Sequence, residues 1–355
     1  MIKYVVRRTI QAIPVLFLIT VFTFLLMHVG GNPAQRFAQN AKVTQAQIAA
    51  FEHRWGLDDP LPLQYCKWLG VCGDKPIVVN ALPPALGGGD NGIVHGDFGY
   101  STFDGRLVTD VIAQRMLPTL ILTVTAYLIW VTIAILAGVY AAVKRYSLFD
   151  SGLTIFNYVG YSLPTFWLGL MLITFLSVPP LRWFPASGMN DPYTTPAFGT
   201  NSYWVFFGQN PFFAIFDLGR HLVLPVLTLV TVSIAGDSRF VRSSMLDSLN
   251  QDYVKTARAK GVPERRVILR HALRNALLPV ITNVGLEIPF LFSGAIVTET
   301  IFAWPGMGRQ FIESVGHTDY PVLMGILLIA AVSIVFANLL ADVLYAVVDP
   351  RVKYD

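Results

Sequence analysis

The apolar residues of this chain fall in long unbroken blocks, not at a helical or strand period. Pro118–Val143 and Gly152–Val178 carry no charged residue, Asn275–Thr298 carries only Glu287, and Tyr320–Val348 carries only Asp342. Another block runs from Ile10 to about Val29, behind Lys3, Arg7 and Arg8. A hydrocarbon core ~30 Å thick takes about 20 helical residues, so each of these five is long enough to cross a membrane. His221–Gly236 is shorter, and its upstream neighbour PFFAIFDLG either extends it or lies in the interface. Counting it predicts six transmembrane helices and an all-α polytopic membrane protein. A cleavable signal peptide has an apolar core of only about 7–15 residues and ends at a small-x-small site. The first block is longer and ends in His-Val-Gly-Gly-Asn-Pro, so a retained helix over 1–30 is expected.

The polar stretches order the rest. Residues 31–110, punctuated by Gly and Pro, are expected as an extracytoplasmic domain inserted between helices 1 and 2, with 111–355 as the five-helix core. Within the insertion, TQAQIAAFEHRWG predicts a short helix. Thr44 and Gln47 have capping-box spacing, Gly56 supplies a stop, and Ile48, Phe51 and Trp55 form one apolar stripe. Gly87–Gly92 is glycine-rich but lacks the strand–helix context of a phosphate cradle, so no nucleotide site is read there. Cys66 and Cys72 close a small loop if oxidised, which this compartment permits; two free thiols are the alternative.

Charge sets the orientation. Asp237–Leu278 holds nine Lys/Arg against Asp237, Asp247, Asp252 and Glu264, a net +5 that exceeds the +4 of the whole chain. Six spans beginning inside place this segment, residues 144–150 and both termini in the cytoplasm, where 16 of the 26 Lys/Arg then lie. The outside loops 179–220 and 301–319 hold only Arg182, Arg220 and Arg309. This is the bias of the positive-inside rule. It accounts for the basic balance without nucleic acid, for which no aromatic-basic module is present.

With 54% hydrophobic and 14% charged residues, composition excludes an ordinary soluble domain. No H-E-x-x-H, G-x-S-x-G or paired C-x-x-C occurs, so no catalytic or metal site is read. The P-loop pattern G-x-x-x-x-G-K-[ST] is also absent, so any active transport draws on an ion gradient or a separate ATPase. In the central segment, DYVKTARAKGV predicts a helix stopped by Gly261 and Pro263, and a second helix opens at Glu264, runs into the membrane and reaches Pro279. Two helices broken by a glycine make a rigid protrusion for another protein to grip; the alternative is a basic loop resting on anionic membrane lipid.

This segment resembles the cytoplasmic coupling loop of ABC-importer permeases of the dipeptide/oligopeptide branch. The similarity lies in D-Y-V-K-T-A-R-A-K-G (252–261) followed by R-H-A-L-R-N-A-L-L-P (270–279). It extends to G-L-D-D-P-L-P-L-Q-Y (56–65), G-D-F-G-Y-S (96–101), E-T-I-F-A-W-P-G-M-G-R (299–309) and D-P-R-V-K-Y (349–354). The Glu and first Ala of the family's Glu-Ala-Ala-x-x-x-Gly motif are Lys255 and Thr256 here, with Ala257 and Gly261 retained.

The resemblance implies a type I importer permease fold in a bacterial inner membrane, and a non-catalytic transport subunit. Its partners would be a second homologous permease, two ATPase subunits that bind ATP and Mg, and an extracytoplasmic substrate-binding protein; the chain itself would carry no cofactor. Helix 253–261 would dock on an ATPase, with contacts from Tyr253, Lys255, Thr256 and Arg258, close approach at Ala257 and Ala259, and a tight turn at Gly261. The substrate would be a di- or oligopeptide or a similar small solute. Of the intramembrane polar residues, Asn283 and Glu287 share one helix face and are candidates to line the translocation path or to clamp helices together. Asn338 and Asp342 share another and are read as a clamp. Trp304 suits an interfacial aromatic belt and Pro305-Gly306 a turn, with a gate or binding-protein contact as the alternative. The competing class is an ion-coupled secondary transporter using Glu287 and Asp342.

Overall fold

The computed structural model describes residues 2–29, 44, 46, 59–72, 92–288 and 290–348. The helix expected over 44–56 falls almost wholly outside these residues, as does the segment 349–354. The regular structure described is helical, with a single isolated antiparallel bridge between Tyr100 and Leu107. The chain divides into two compact units. One comprises Met1–Val6, Pro118–Arg309 and Ile334–Asp355, and the other Arg7–Leu117 and Gln310–Ser333.

The second unit holds most of helix α1, Ile2–Val29, whose apolar stretch is Thr9–Leu25. Helix α2, Leu61–Leu69, starts behind Pro60 and stops at Gly70, whose φ of 79° is the left-handed conformation glycine adopts at low cost. Tyr65 of α2 meets Thr20 of α1 through their hydroxyls at 2.7 Å and packs edge-on against Phe24.

Helix α3, Val108–Val143, contains the block expected from Pro118 and leads to a turn at Tyr146 (φ 64°). The block Gly152–Val178, expected as one span, is two helices bent by 104°: α4, Leu148–Ser162, and α5, Thr165–Leu176. The break has a local cause. Leu163 precedes Pro164, the proline ring disfavours helical backbone at the residue before it, and Leu163 is extended with ψ 125°.

After α6, Asn201–Gln209, helix α7 runs from Pro211 to Leu249. The weak block at 221–236 is thus extended on both sides: PFFAIFDLG joins it upstream, and 237–249, expected as the start of a loop, continue it downstream. What hydropathy missed is that α7 carries buried polar residues, Asp217, His221, Thr228, Asp237, Ser238 and Ser248, each with a partner in the fold. It is the central helix of its unit, packing on α4, α5 and α6. Two glycines let neighbouring helices approach α7: a Cβ at Gly138 would fall 2.7 Å from the Ser238 carbonyl oxygen and 2.8 Å from Val241, and one at Gly160 would fall 3.3 Å from Ala235.

Helix α8, Asp252–Ala259, is followed by a helical turn at Glu264–Arg266, a π-helical segment at Val267–Ala272, and α9, Leu273–Glu287. The span expected to reach Thr298 ends sooner. It gives way to two short helices, α10, Phe290–Ser293, and α11, Ile296–Ile301. Gly294 between them has φ 81°, and a Cβ there would sit 3.0 Å from the Gly308 nitrogen. Helices α12, Met307–His317, and α13, Tyr320–Val348, are the last of the described residues. Among the described residues four segments are by length and composition fit to cross a membrane: Val108–Val143, Pro211–Leu249, Glu264–Phe292 and Tyr320–Ala341. The bent pair α4–α5 makes a fifth if it counts as one span.

Candidate functional site

Helix α8 has two dissimilar faces. Val254 and Ala257 are buried against Met245 of α7, Ala142 of α3, and Val267, Ala272 and Ala276. Tyr253, Lys255, Thr256, Arg258 and Ala259 are exposed on the other side. Ala257, expected at the surface as a point of close approach, is therefore an inward residue packed within its own chain. The reason is spacing: Val254 and Ala257 are three apart and share the one apolar stripe of a two-turn helix.

The helix ends in a Schellman motif. The N–H of Gly261 donates to the Arg258 carbonyl (2.9 Å) and that of Val262 to the Ala257 carbonyl (3.2 Å), with Gly261 at φ 72°. Among the described residues no atom beyond its chain neighbours lies within 4 Å of where a Gly261 Cβ would be, so backbone conformation and not space calls for glycine. Arg258 reaches across the turn to Glu264 at 2.7 Å, and Lys255 pairs with Asp252 at 2.9 Å. Hydrogen bonding to Glu264 raises the Arg258 pKa above its ordinary value, and hydrogen bonding to Lys255 holds the Asp252 carboxyl below the usual range.

Deeper in the unit, Asp237 of α7 gathers groups from two other helices. Trp130 of α3 donates its indole N–H to Asp237 Oδ2 at 3.1 Å, and Asn283 of α9 approaches Oδ1 at 3.5 Å. Tyr127 stacks edge-on to Trp130 and donates to the Val284 carbonyl at 2.8 Å. Glu287 is close enough to Asp237 for the two carboxyls to interact, yet its buried Oε2 has no hydrogen-bond partner among the described residues. Sequence spacing paired Asn283 with Glu287; the fold adds Asp237 and Trp130. Asn338 is exposed and the Asp342 side chain lies outside the described residues, so their expected clamp does too.

The 299–309 stretch is built around a fully buried carboxylate. Glu299 Oε1 accepts from the Thr119 hydroxyl (2.9 Å) and the Ala295 N–H (3.3 Å), and Oε2 accepts from the Arg309 N–H (3.0 Å). Burial pushes this carboxyl above the ordinary glutamate range, opposed by the Arg309 N–H, the Thr119 hydroxyl and the N–H groups of Gly308 and Ala295. Thr119 Oγ1 also accepts from the Met307 N–H (2.7 Å). Trp304, expected in an interfacial belt, is instead fully buried, with its indole N–H on the Pro118 carbonyl at 2.9 Å. A side chain at Gly306 would run into Thr119 and Glu299.

In the other unit, Cys66 and Cys72 are disulfide-bonded with Cα atoms 5.4 Å apart. Asp319, at the start of α13, accepts from the Ser101 hydroxyl and from the Thr102 N–H (3.0 Å) and hydroxyl (3.1 Å), fixing the G-D-F-G-Y-S turn. Among the described residues no group of three or more His, Cys, Asp or Glu converges as a metal site requires.

Residues 134–354 match the family model described as the binding-protein-dependent transport system inner membrane component, and residues 1–123 match the model for its N-terminal part. The chain is 41% identical to the oligopeptide transport system permease protein AppB of Bacillus subtilis over 355 residues, all of both chains. It is 37% identical to the dipeptide transport system permease protein DppB of Escherichia coli over 366 residues, covering 100% of this chain and 99% of that one. The di/tripeptide transport system permease protein DppB of Pseudomonas aeruginosa is 36% identical over 359 residues, with the same coverage.

Proposed function

The chain belongs to the family of binding-protein-dependent transport system inner membrane components, and on that premise we propose that it is the permease subunit of an ATP-driven importer of di- or oligopeptides. It is a multi-pass inner-membrane protein. The peptide substrate follows from relatives whose names specify oligopeptides, dipeptides and di/tripeptides along their full length. A substrate-binding protein would deliver the peptide from outside. Two ATPase subunits would bind ATP and Mg, and a second, related permease would complete the pathway.

One observation carries the coupling role: α8 buries one face in its own chain and leaves Tyr253, Lys255, Thr256, Arg258 and Ala259 outward. An inner face locked into the core makes α8 part of a rigid body, so closure of the ATPase pair beneath it would swing the attached helices between inward- and outward-open states. Gly261 then ends the helix sharply enough for the chain to turn back into the membrane. Asn283 and Glu287, with Asp237 beside them, are polar groups within apolar helices, and on that ground we assign them to the path.

The test is purification of the protein from its native membrane in mild detergent, with identification of every retained chain. Two P-loop ATPases and a related permease are expected. Recovery of the chain alone, with uptake that follows a proton gradient and not ATP, would overturn the assignment.

A further inference from the structure

The outward face of α8 is tied to the membrane-entering helix by a short chain of hydroxyls that hydropathy and motif matching do not reveal. Tyr253 Oη lies 2.7 Å from Ser248 Oγ, and Ser248 Oγ donates to the Ala272 carbonyl at 2.7 Å. The donors can be assigned by elimination. A carbonyl only accepts, so the single hydroxyl proton of Ser248 is committed to Ala272, and Tyr253 must be the donor to Ser248. The result is a directed chain in which each bond polarises the next. Ser248 is 6% exposed and Tyr253 40% exposed, so one end of the chain is in the core and the other at the surface. One turn earlier on α7, Ser244 donates to the Ala276 carbonyl at 2.7 Å, a second tie between the same elements.

Where the chain ends matters. Ala272 is the last residue of the π-helical segment Val267–Ala272, immediately before α9 begins. A π segment carries one residue more per turn than the helix around it needs, and such insertions are recurrent sites of functional adjustment. The serine hydroxyls hold the carbonyls at its C-terminal boundary against α7. Tyr253 is thus a handle on this joint: displacing its ring displaces Ser248, and Ser248 holds the joint.

We propose that Ser248 is the positioning residue that passes movement of α8 into the π segment and α9, through the chain Tyr253–Ser248–Ala272. This rests on the reading of α8 as the ATPase-docking helix. The relay predicts that losing either hydroxyl separates ATP hydrolysis from uptake, and that losing the buried Ser248 hydroxyl does so without loosening the docked complex.

The experiment uses the complete transporter in proteoliposomes, with its partner permease, ATPases and binding protein. Peptide taken up per ATP hydrolysed is measured for Ser248→Ala, Ser248→Thr, Tyr253→Phe and the Ser248→Ala/Tyr253→Phe double variant. Each is also made with Lys255→Cys, and cross-linking of that cysteine to an ATPase subunit is scored. Ser248→Ala and Tyr253→Phe are each expected to lower uptake per ATP about fivefold, the effect of one lost hydrogen bond. The double variant should be no worse than either alone, Ser248→Thr should recover the ratio, and cross-linking should be undiminished in Ser248→Ala and Ser248→Thr.

Full cross-linking with an unchanged uptake-to-ATP ratio in Tyr253→Phe overturns the relay alone. Absence of the cross-link when only Lys255→Cys is present overturns the docking reading, and the relay with it. Should Ser248→Ala fail to assemble, Tyr253→Phe decides, because it removes one hydroxyl from a half-exposed ring and leaves the packing intact.

Discussion

Thr119 and Glu299 are 180 residues apart in the chain and are joined by a 2.9 Å hydrogen bond in which the threonine donates. The same threonine oxygen accepts the Met307 N–H, so one hydroxyl links α3 to both ends of the turn between α11 and α12. Both Glu299 oxygens receive donors, and an amide in its place would turn an NH2 toward at least one of them. Glu299→Gln is therefore expected to destabilise the protein by about 1–3 kcal/mol, and Thr119→Val by a similar amount, while Thr119→Ser changes little. Thermal unfolding in detergent checks this.

The same carboxyl gives a pH dependence. Because its folded pKa is raised, the folded state holds the proton more tightly than the unfolded chain does. The Glu299 contribution to stability is thus largest below the ordinary glutamate value of 4.5 and declines as pH rises from there through the folded value. The slope of unfolding temperature against pH over that interval should be shallower in Glu299→Gln.

Trp130 and Asp237 form a second long-range pair, at 3.1 Å. Trp130→Phe removes the only N–H of that side chain and leaves a buried carboxyl short of a donor. In a double-mutant cycle with Asp237→Asn, the two changes should couple by about 0.5–3 kcal/mol. Purely additive losses would mean that the hydrogen bond contributes nothing to the helix contact.

The two faces of α8 should respond differently to substitution. Ala257→Glu forces a charge into the cluster around Met245 and Val267, so loss of the folded protein is expected. Arg258→Gln removes an exposed ion pair worth about 0–1 kcal/mol, so stability should hold while ATPase association weakens. Co-purification of ATPase with each variant, beside its melting temperature, separates the two outcomes.

Gly261→Ala should cost about 1–2 kcal/mol through the left-handed backbone alone, since nothing crowds the added methyl. Gly261→Asn should cost less, because asparagine enters that conformation more readily. Equal losses for the two variants, measured by chemical or thermal unfolding, would point to crowding in place of backbone conformation.

By itself the sequence determined what depends on neighbours along the chain. The long apolar blocks at Pro118–Val143 and Tyr320–Val348 had to be helices, because only internal hydrogen bonding satisfies a backbone in lipid. Gly261 and Pro263 had to end α8, and the central basic excess had to favour one side of the membrane. Reading Gly152–Val178 as one unbroken block overlooked a local signal that was present, the proline at 164, where the helix bends.

The tertiary structure decided everything that depends on which residues meet. Asp237 reads as the first polar residue after an apolar run, and nothing nearby in sequence shows that Trp130 and Asn283 will come to it from other helices. Ala257 and Ala259 are indistinguishable as letters, yet the first is 6% exposed and the second lies on the open face. Ser248 looks like an ordinary surface serine until α7 packs on the π segment and its hydroxyl finds Ala272. Hydropathy averages over a window and so reports only the solvent a segment prefers. A buried polar group is tolerated because of a partner far along the chain, and folding chooses that partner.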